Sequence, residues 1–150
     1  MPSGDGITPY FHTIRKNSVS LFTKFLELNP VTDYVLKGNQ TALTYAAQYG
    51  AQVAILDILR DSGLSIDHRD VHGRTPLMYA VKKNRIREVE WWLNQGANPL
   101  LKDKTNKSAL TYSWANHDRK VHHLVQQRAE EMRRIHKQQQ KQDDAEVGEY

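Results

Sequence analysis

At 150 residues, with 39% hydrophobic and 25% charged residues, the chain is long enough for one domain with a sizeable core or for a short array of repeats. It has no cysteine, which excludes disulfides, thiolate-bound zinc and thiol nucleophiles and suits a reducing cytoplasm. No apolar run approaches the roughly 20 residues of a membrane helix, and the opening MPSGDGITPY has no basic stretch leading into an apolar one, so no secretory signal is expected. The net charge of +4 lies in residues 1–117, with 14 Lys and Arg against 10 Asp and Glu. Residues 118–150 balance 7 against 7, basic as far as Lys141 and then acidic at Asp143, Asp144, Glu146 and Glu149. The glycosylation triplets Asn39-Gln40-Thr41 and Asn106-Lys107-Ser108 are read as incidental.

Along the chain, one short pattern returns four times: Thr8-Pro9-Tyr10, Thr41-Ala42-Leu43, Thr75-Pro76-Leu77 and Ser108-Ala109-Leu110, at spacings of 33, 34 and 33 residues. Two positions before each hydroxyl residue stand Gly6, Asn39, Gly73 and Asn106, the residue types that most easily take positive φ, so each unit opens from a tight turn. The hydroxyl then accepts an N–H at a helix start, and proline fits the next position because its missing N–H is one the helix end cannot use. A short helix follows; in the third unit its apolar face is Leu77, Ala80 and Val81. Nine residues after each hydroxyl come Asn17, Gly50, Asn84 and His117, mostly residues that can end a helix in the left-handed conformation. One extra residue after Gly50 predicts a small irregularity in the second unit.

A second, longer helix shows apolar residues at helical spacing, as in Ile86, Val89, Trp92 and Leu93. It stops at Gly96-Ala97-Asn98, as its predecessor stops at Gly63-Leu64-Ser65, and Asp70 and Asp103 lead into the next turns. The units run over about residues 3–35, 36–69, 70–102 and 103–127, with eight helices expected. From Val121 the series Leu124, Val125, Ala129, Met132 and Ile135 forms an amphipathic helix. It extends to about residue 140 and leaves a polar, acidic tail within 128–150. The preferred reading of this extension is a lengthened capping helix with a solvated end. A docking or self-association segment, a C-terminal carboxylate at Tyr150 read by another domain, and an export signal are the alternatives.

The third unit, Asp70-Val71-His72-Gly73-Arg74-Thr75-Pro76-Leu77-Met78-Tyr79-Ala80 with Gly96-Ala97-Asn98 after its second helix, resembles the ankyrin-repeat consensus. The match is close in units two and three and looser in the outer two, as expected of end units with one neighbour each. It implies an all-α ankyrin-repeat solenoid with short β-hairpin-like turns and an extended C-terminal helix. The histidine usual in the family after Thr-Pro-Leu is Phe11, Thr44, Met78 and Thr111 here, so its hydrogen bonds must be replaced or absent.

The resemblance also implies a partner-binding surface, since family members hold partners in the concave groove of hairpin tips and first helices. Carried over position by position, that surface is Arg15, Lys16 and Val35 in unit one, and Lys37, Gly38, Gln40, Gln48, Tyr49 and Arg69 in unit two. Unit three adds Val71, His72, Arg74, Lys82, Lys83 and Lys102, and unit four Lys104, Thr105, Lys107, Ala115 and Asn116. Ten of these 20 positions are Lys or Arg and none is Asp or Glu, where an even spread would give about three and two. Asp5 is the nearby exception. Such a wall is expected to attract an acidic protein segment, with Arg69, Arg74, Lys82, Lys83, Lys102 and Lys104 carrying most of the attraction. Nucleic acid is a weaker fit, because base stacking asks for exposed aromatic residues among the charges and only Tyr49 offers one.

No nucleophile elbow, phosphate-cradling glycine loop or paired carboxylates occur, so neither an enzyme nor a cofactor is expected. His117, His122 and His123 with Asp118 lie at separations of five and one, not the three or four that lets two helical side chains reach one metal ion. Trp91 and Trp92 are assigned to the core, and Tyr45, Tyr79 and Tyr112, which recur at one first-helix position, to packing between units. The expected function is protein–protein interaction by a monomeric cytoplasmic module or adaptor. The alternatives are nucleic-acid or anionic-lipid binding by the same surface, an adaptor using the convex face or C-terminal helix, and a secreted bacterial or viral effector acting in a host cytoplasm.

Overall fold

The computed structural model describes residues 9–29 and 35–148 of the chain. The expectations placed on Asp5, Gly6, Thr8, Glu149 and Tyr150 lie outside the described residues. Among the described residues eight helices follow in pairs: α1 (Pro9–Arg15) with α2 (Val19–Leu28), α3 (Ala42–Tyr49) with α4 (Val53–Arg60), α5 (Pro76–Lys82) with α6 (Ile86–Asn94), and α7 (Ala109–Ser113) with α8 (Arg119–Val147).

The repeated hydroxyls start the first helices as their chemistry requires. Thr41, Thr75 and Ser108 accept the backbone N–H of Thr44, Met78 and Thr111 at 3.4, 3.4 and 3.2 Å, and Pro76 occupies the first turn of α5. Asn39, Gly73 and Asn106 open their turns at φ of 57°, 72° and 64°, while Asn17, Gly50 and Asn84 end the helices at 54°, 71° and 54°. His117, the fourth residue of that series, is not among the positive-φ residues. The fourth first helix stops after one turn, and the N–H groups of Ala115 and Asn116 return to Tyr112 and Ser113, so the chain reaches Asp118, the cap of α8, without a left-handed step.

The first helices α1, α3, α5 and α7 pack in one row and α2, α4, α6 and α8 in a second, with the core between them. Phe11, Phe22, Leu43, Ile55, Leu77, Val89, Trp92 and Val125 are fully sealed there. Trp91 is buried too, its indole N–H donating to Asp57 at 2.7 Å across the α4–α6 contact. Side-chain bonds to backbone tie successive units together. Gln52 joins Asn17 at 2.8 and 2.6 Å at the irregularity after Gly50, Asn116 donates to the Val81 carbonyl at 2.9 Å, and Arg128 to that of Leu93 at 2.7 Å. Where the family uses histidine, Thr44 and Thr111 bond the capping hydroxyls of Thr41 and Ser108 at 3.2 and 3.1 Å, and Phe11 and Met78 simply pack.

The last helix is longer than its apolar pattern predicts, continuing to Val147 rather than about residue 140. Its buried contacts end at Ala129, and every described residue from Arg133 onward is exposed. Lys, Gln, Glu and Ala are strong helix formers, and Gln140 adds a one-turn bond to Asp144 at 3.5 Å, so this stretch is helical by propensity rather than by packing. Among the described residues no helix is long and apolar enough to cross a membrane.

Candidate partner-binding surface

Among the described residues three hairpin fingers project beside the first helices. Their bases are closed by backbone pairing of Leu36 with Gln40, Asp70 with Arg74 and Lys102 with Ser108. The fingers also join one another: the Val71 N–H donates to Gly38 at 2.8 Å and the Lys104 N–H to His72 at 3.1 Å. In the second and third fingers an aspartate organises the tip. One oxygen of Asp70 accepts the N–H groups of His72 and Arg74 at 2.9 and 3.1 Å, and one of Asp103 those of Thr105 and Lys107 at 2.8 and 3.1 Å. The other oxygen takes the phenol of the following first helix, Tyr79 or Tyr112.

This clasp leaves the acids inside and the cations outside. Asp70 and Asp103 are 5% and 7% exposed, and they are the only acids within the three finger sequences. Burial alone would raise the Asp103 carboxyl, but hydrogen bonds from Tyr112, Thr105 and the Lys107 backbone outweigh it and hold the group at about 2. Burial, helped by the bond to Asp70, pushes the Tyr79 phenol up to about 12, and Tyr112 is raised for the same reasons through Asp103.

Of the cations carried over from the sequence, Arg15, Lys16, Lys37, Arg69, Lys82, Lys83, Lys102, Lys104 and Lys107 are exposed, as are Tyr49 and His72. Three of them lie against tyrosine rings: Lys82 and Lys107, from different units, approach Tyr112 at 5.8 and 5.9 Å, and Arg15 lies over Tyr49 at 5.1 Å. Arg74 is held within the fold, over Tyr79 at 5.9 Å with its Nε 4.0 Å from Asp103. Gln40 and Gln48 bond each other at 2.6 Å, and Asn116 spends its amide on Val81.

One residue was missed by the sequence reading. Tyr49, 43% exposed, is not alone as an aromatic surface, because Trp114 is 71% exposed. Its position relative to the repeat was readable; that it stays exposed was not. Among the described residues no group of three or more His, Asp or Glu converges as a metal site.

Paired helices in two stacked rows, joined by fingers at a 33-residue period, define a helical-repeat scaffold. Residues 59–113 match the family described as ankyrin repeats (many copies). The chain is 33% identical over 104 residues to ankyrin repeat family A protein 2 of Homo sapiens, covering 69% of this chain and 32% of that protein. It is 45% identical over 62 residues to transient receptor potential cation channel subfamily A member 1 of Homo sapiens, 41% of this chain and 6% of the relative. An ankyrin repeat protein of Fowlpox virus (strain NVSL), FPV022, is 25% identical over 113 residues, 75% and 19% of the two chains. The similarity therefore spans a third or less of each of these relatives. The chain is an ankyrin-repeat protein. Ankyrin repeats are generally protein–protein interaction modules without catalytic activity.

Proposed function

We propose that the protein binds an acidic segment of another protein through its hairpin-and-first-helix face. The carrying observation is the sorting of charge by the fingers, whose two acids are turned inward onto Tyr79 and Tyr112 while their lysines and the adjacent Arg69 stand in water. The outward potential is then one-signed, and an acidic chain crossing units two to four meets Arg69, Lys82, Lys83, Lys102, Lys104 and Lys107 in succession. Each exposed pair contributes little, about 0–1 kcal/mol, so selectivity comes from the array and from its effect on encounter rate. The peptide is favoured over nucleic acid because the exposed rings Tyr49 and Trp114 lie two units apart rather than in a stacking row. The absence of cysteine fits work in a reducing cytoplasm.

The test compares proteins captured from cell lysates by the wild type and by the Lys82→Glu/Lys83→Glu/Lys102→Glu variant, at two salt concentrations. The expected result is loss of the acidic captured proteins with the variant. Equal recovery by both contradicts the proposal and points to the opposite face or α8. A steep power-law loss with salt, together with recovered nucleic acid or anionic lipid, supports the rival reading.

A further inference from the structure

Repeat register singles out a side chain that lies off the hairpin face. Ile14, Ala47, Val81 and Trp114 occupy one first-helix position, at spacings of 33, 34 and 33 residues. The first three are 1%, 3% and 0% exposed, each covered by the next unit, whereas Trp114 is 71% exposed at the end of the described stack. Neighbouring positions on that end face have turned polar. The buried Leu56 and Val89 are replaced one unit on by His122, and the buried Met78 by an exposed Thr111. Polar replacement is how an end unit tolerates water; an indole at the centre of that face does the opposite.

The indole is also held in place. Its ring centre lies 4.0 Å from that of His122, with the planes 43° apart. The Ser113 hydroxyl donates its one hydrogen to the Leu110 carbonyl at 2.6 Å, so across its 2.8 Å contact with His122 it must accept, and Nδ1 of the imidazole carries a hydrogen. Beside this pair, between the α7–α8 turn and α8, runs a cleft of about 470 Å³ lined by Trp114, His122, His117, Arg119 and His123, with no acid among its lining residues. Asp118, next to the cleft in sequence, uses its carboxylate to cap α8 through the Lys120 N–H at 3.0 Å.

We propose that this cleft is a second docking site, separate from the hairpin face, for an acidic peptide segment. An apolar side chain of that peptide lies on Trp114 while its carboxylates meet Arg119 and the flanking imidazoles. Charge selects this occupant over a second copy of the chain, because a symmetric pairing of end faces would oppose like charges across the contact. A single indole gives an apolar peptide side chain a full seat but gives a nucleic-acid strand only one stacking position.

The test selects peptides from a random displayed library on the wild-type protein, then measures their affinity for the wild type, Trp114→Ala, Arg119→Glu and the Lys82→Glu/Lys83→Glu/Lys102→Glu variant. The expected result is a set of peptides combining Asp or Glu with an apolar residue. Their affinity falls about tenfold or more on Trp114→Ala and on Arg119→Glu, yet holds on the triple variant. Circular dichroism of Trp114→Ala matching the wild type shows that the fold is kept. The proposal is overturned if no such peptides emerge, or if those that emerge bind Trp114→Ala as well as the wild type. It is also overturned if a short oligothymidylate, and none of the peptides, shields Trp114 from acrylamide.

Discussion

The third and fourth units are built to one plan and meet different fates. Both begin at a capped hydroxyl, Thr75 or Ser108, and both clasp a finger aspartate with a tyrosine nine residues on. Unit three has a neighbour on each side, and all of Pro76–Val81 is buried. In α7, described against only one neighbour, Ala109 and Ser113 alone are buried, and the place of Val81 is taken by the exposed Trp114. Burial in a stacked array is thus a property of the next unit as much as of the residue, which is why one repeated position can serve as core in one place and as surface in another.

The strongest way to sharpen this contrast is to truncate a tryptophan on each side of it. Trp92→Ala, inside the α4–α6–α8 row, is expected to cost about 3–5 kcal/mol in urea unfolding, while Trp114→Ala is expected to stay within about 0.5 kcal/mol of the wild type. A similar cost at both sites would mean that the end face is covered. Next in size is the clasp. Asp103→Asn is expected to lose about 1–2 kcal/mol near neutral pH, because the folded carboxyl sits at about 2, below its ordinary 3.8. A group depressed in this way contributes fully above 3.8, and the contribution disappears as pH falls from there towards 2, so the wild type and Asp103→Asn should converge in acid. Tyr79 gives the mirror case at high pH. With its phenol raised from 10.0 to about 12, its contribution is intact below 10 and is lost as pH climbs through that interval, a loss that Tyr79→Phe should not show. The smallest effect belongs to the end of α8: removing residues 138–150 is expected to change stability by less than about 0.5 kcal/mol, since Ala129 is its last buried residue. A large loss there would show that the extension packs on something.

The sequence made legible what is local and periodic. Hydroxyl caps, left-handed asparagines and glycines, and the apolar spacing of α6 are each set within a few residues, so their repetition at 33 or 34 residues was enough to place the starts of α3, α5 and α7 without contact information. The Tyr–Asp clasp was half visible: Asp70 with Asp103 and Tyr79 with Tyr112 were each seen to recur, and their shared offset of nine is the signal that joins them. Other features turned on neighbours. The exposure of Trp114 depends on what covers the end face, and the amide of Asn116, assigned to the partner surface by its place in the repeat, is drawn instead to a carbonyl 35 residues earlier. The reach of α8 to Val147 comes from propensity in a stretch with no apolar face, so an apolar pattern could not mark its end.

The most direct measurement is acrylamide quenching of the protein's three tryptophans, compared between the wild type and Trp114→Phe. With Trp91 and Trp92 sealed inside the stack and Trp114 open at its end, the wild type should show one readily quenched component, and the substitution should remove it, leaving only protected emission. If the quenchable component persists in Trp114→Phe, the interior units are not closed as described and the contrast between them and the end face fails.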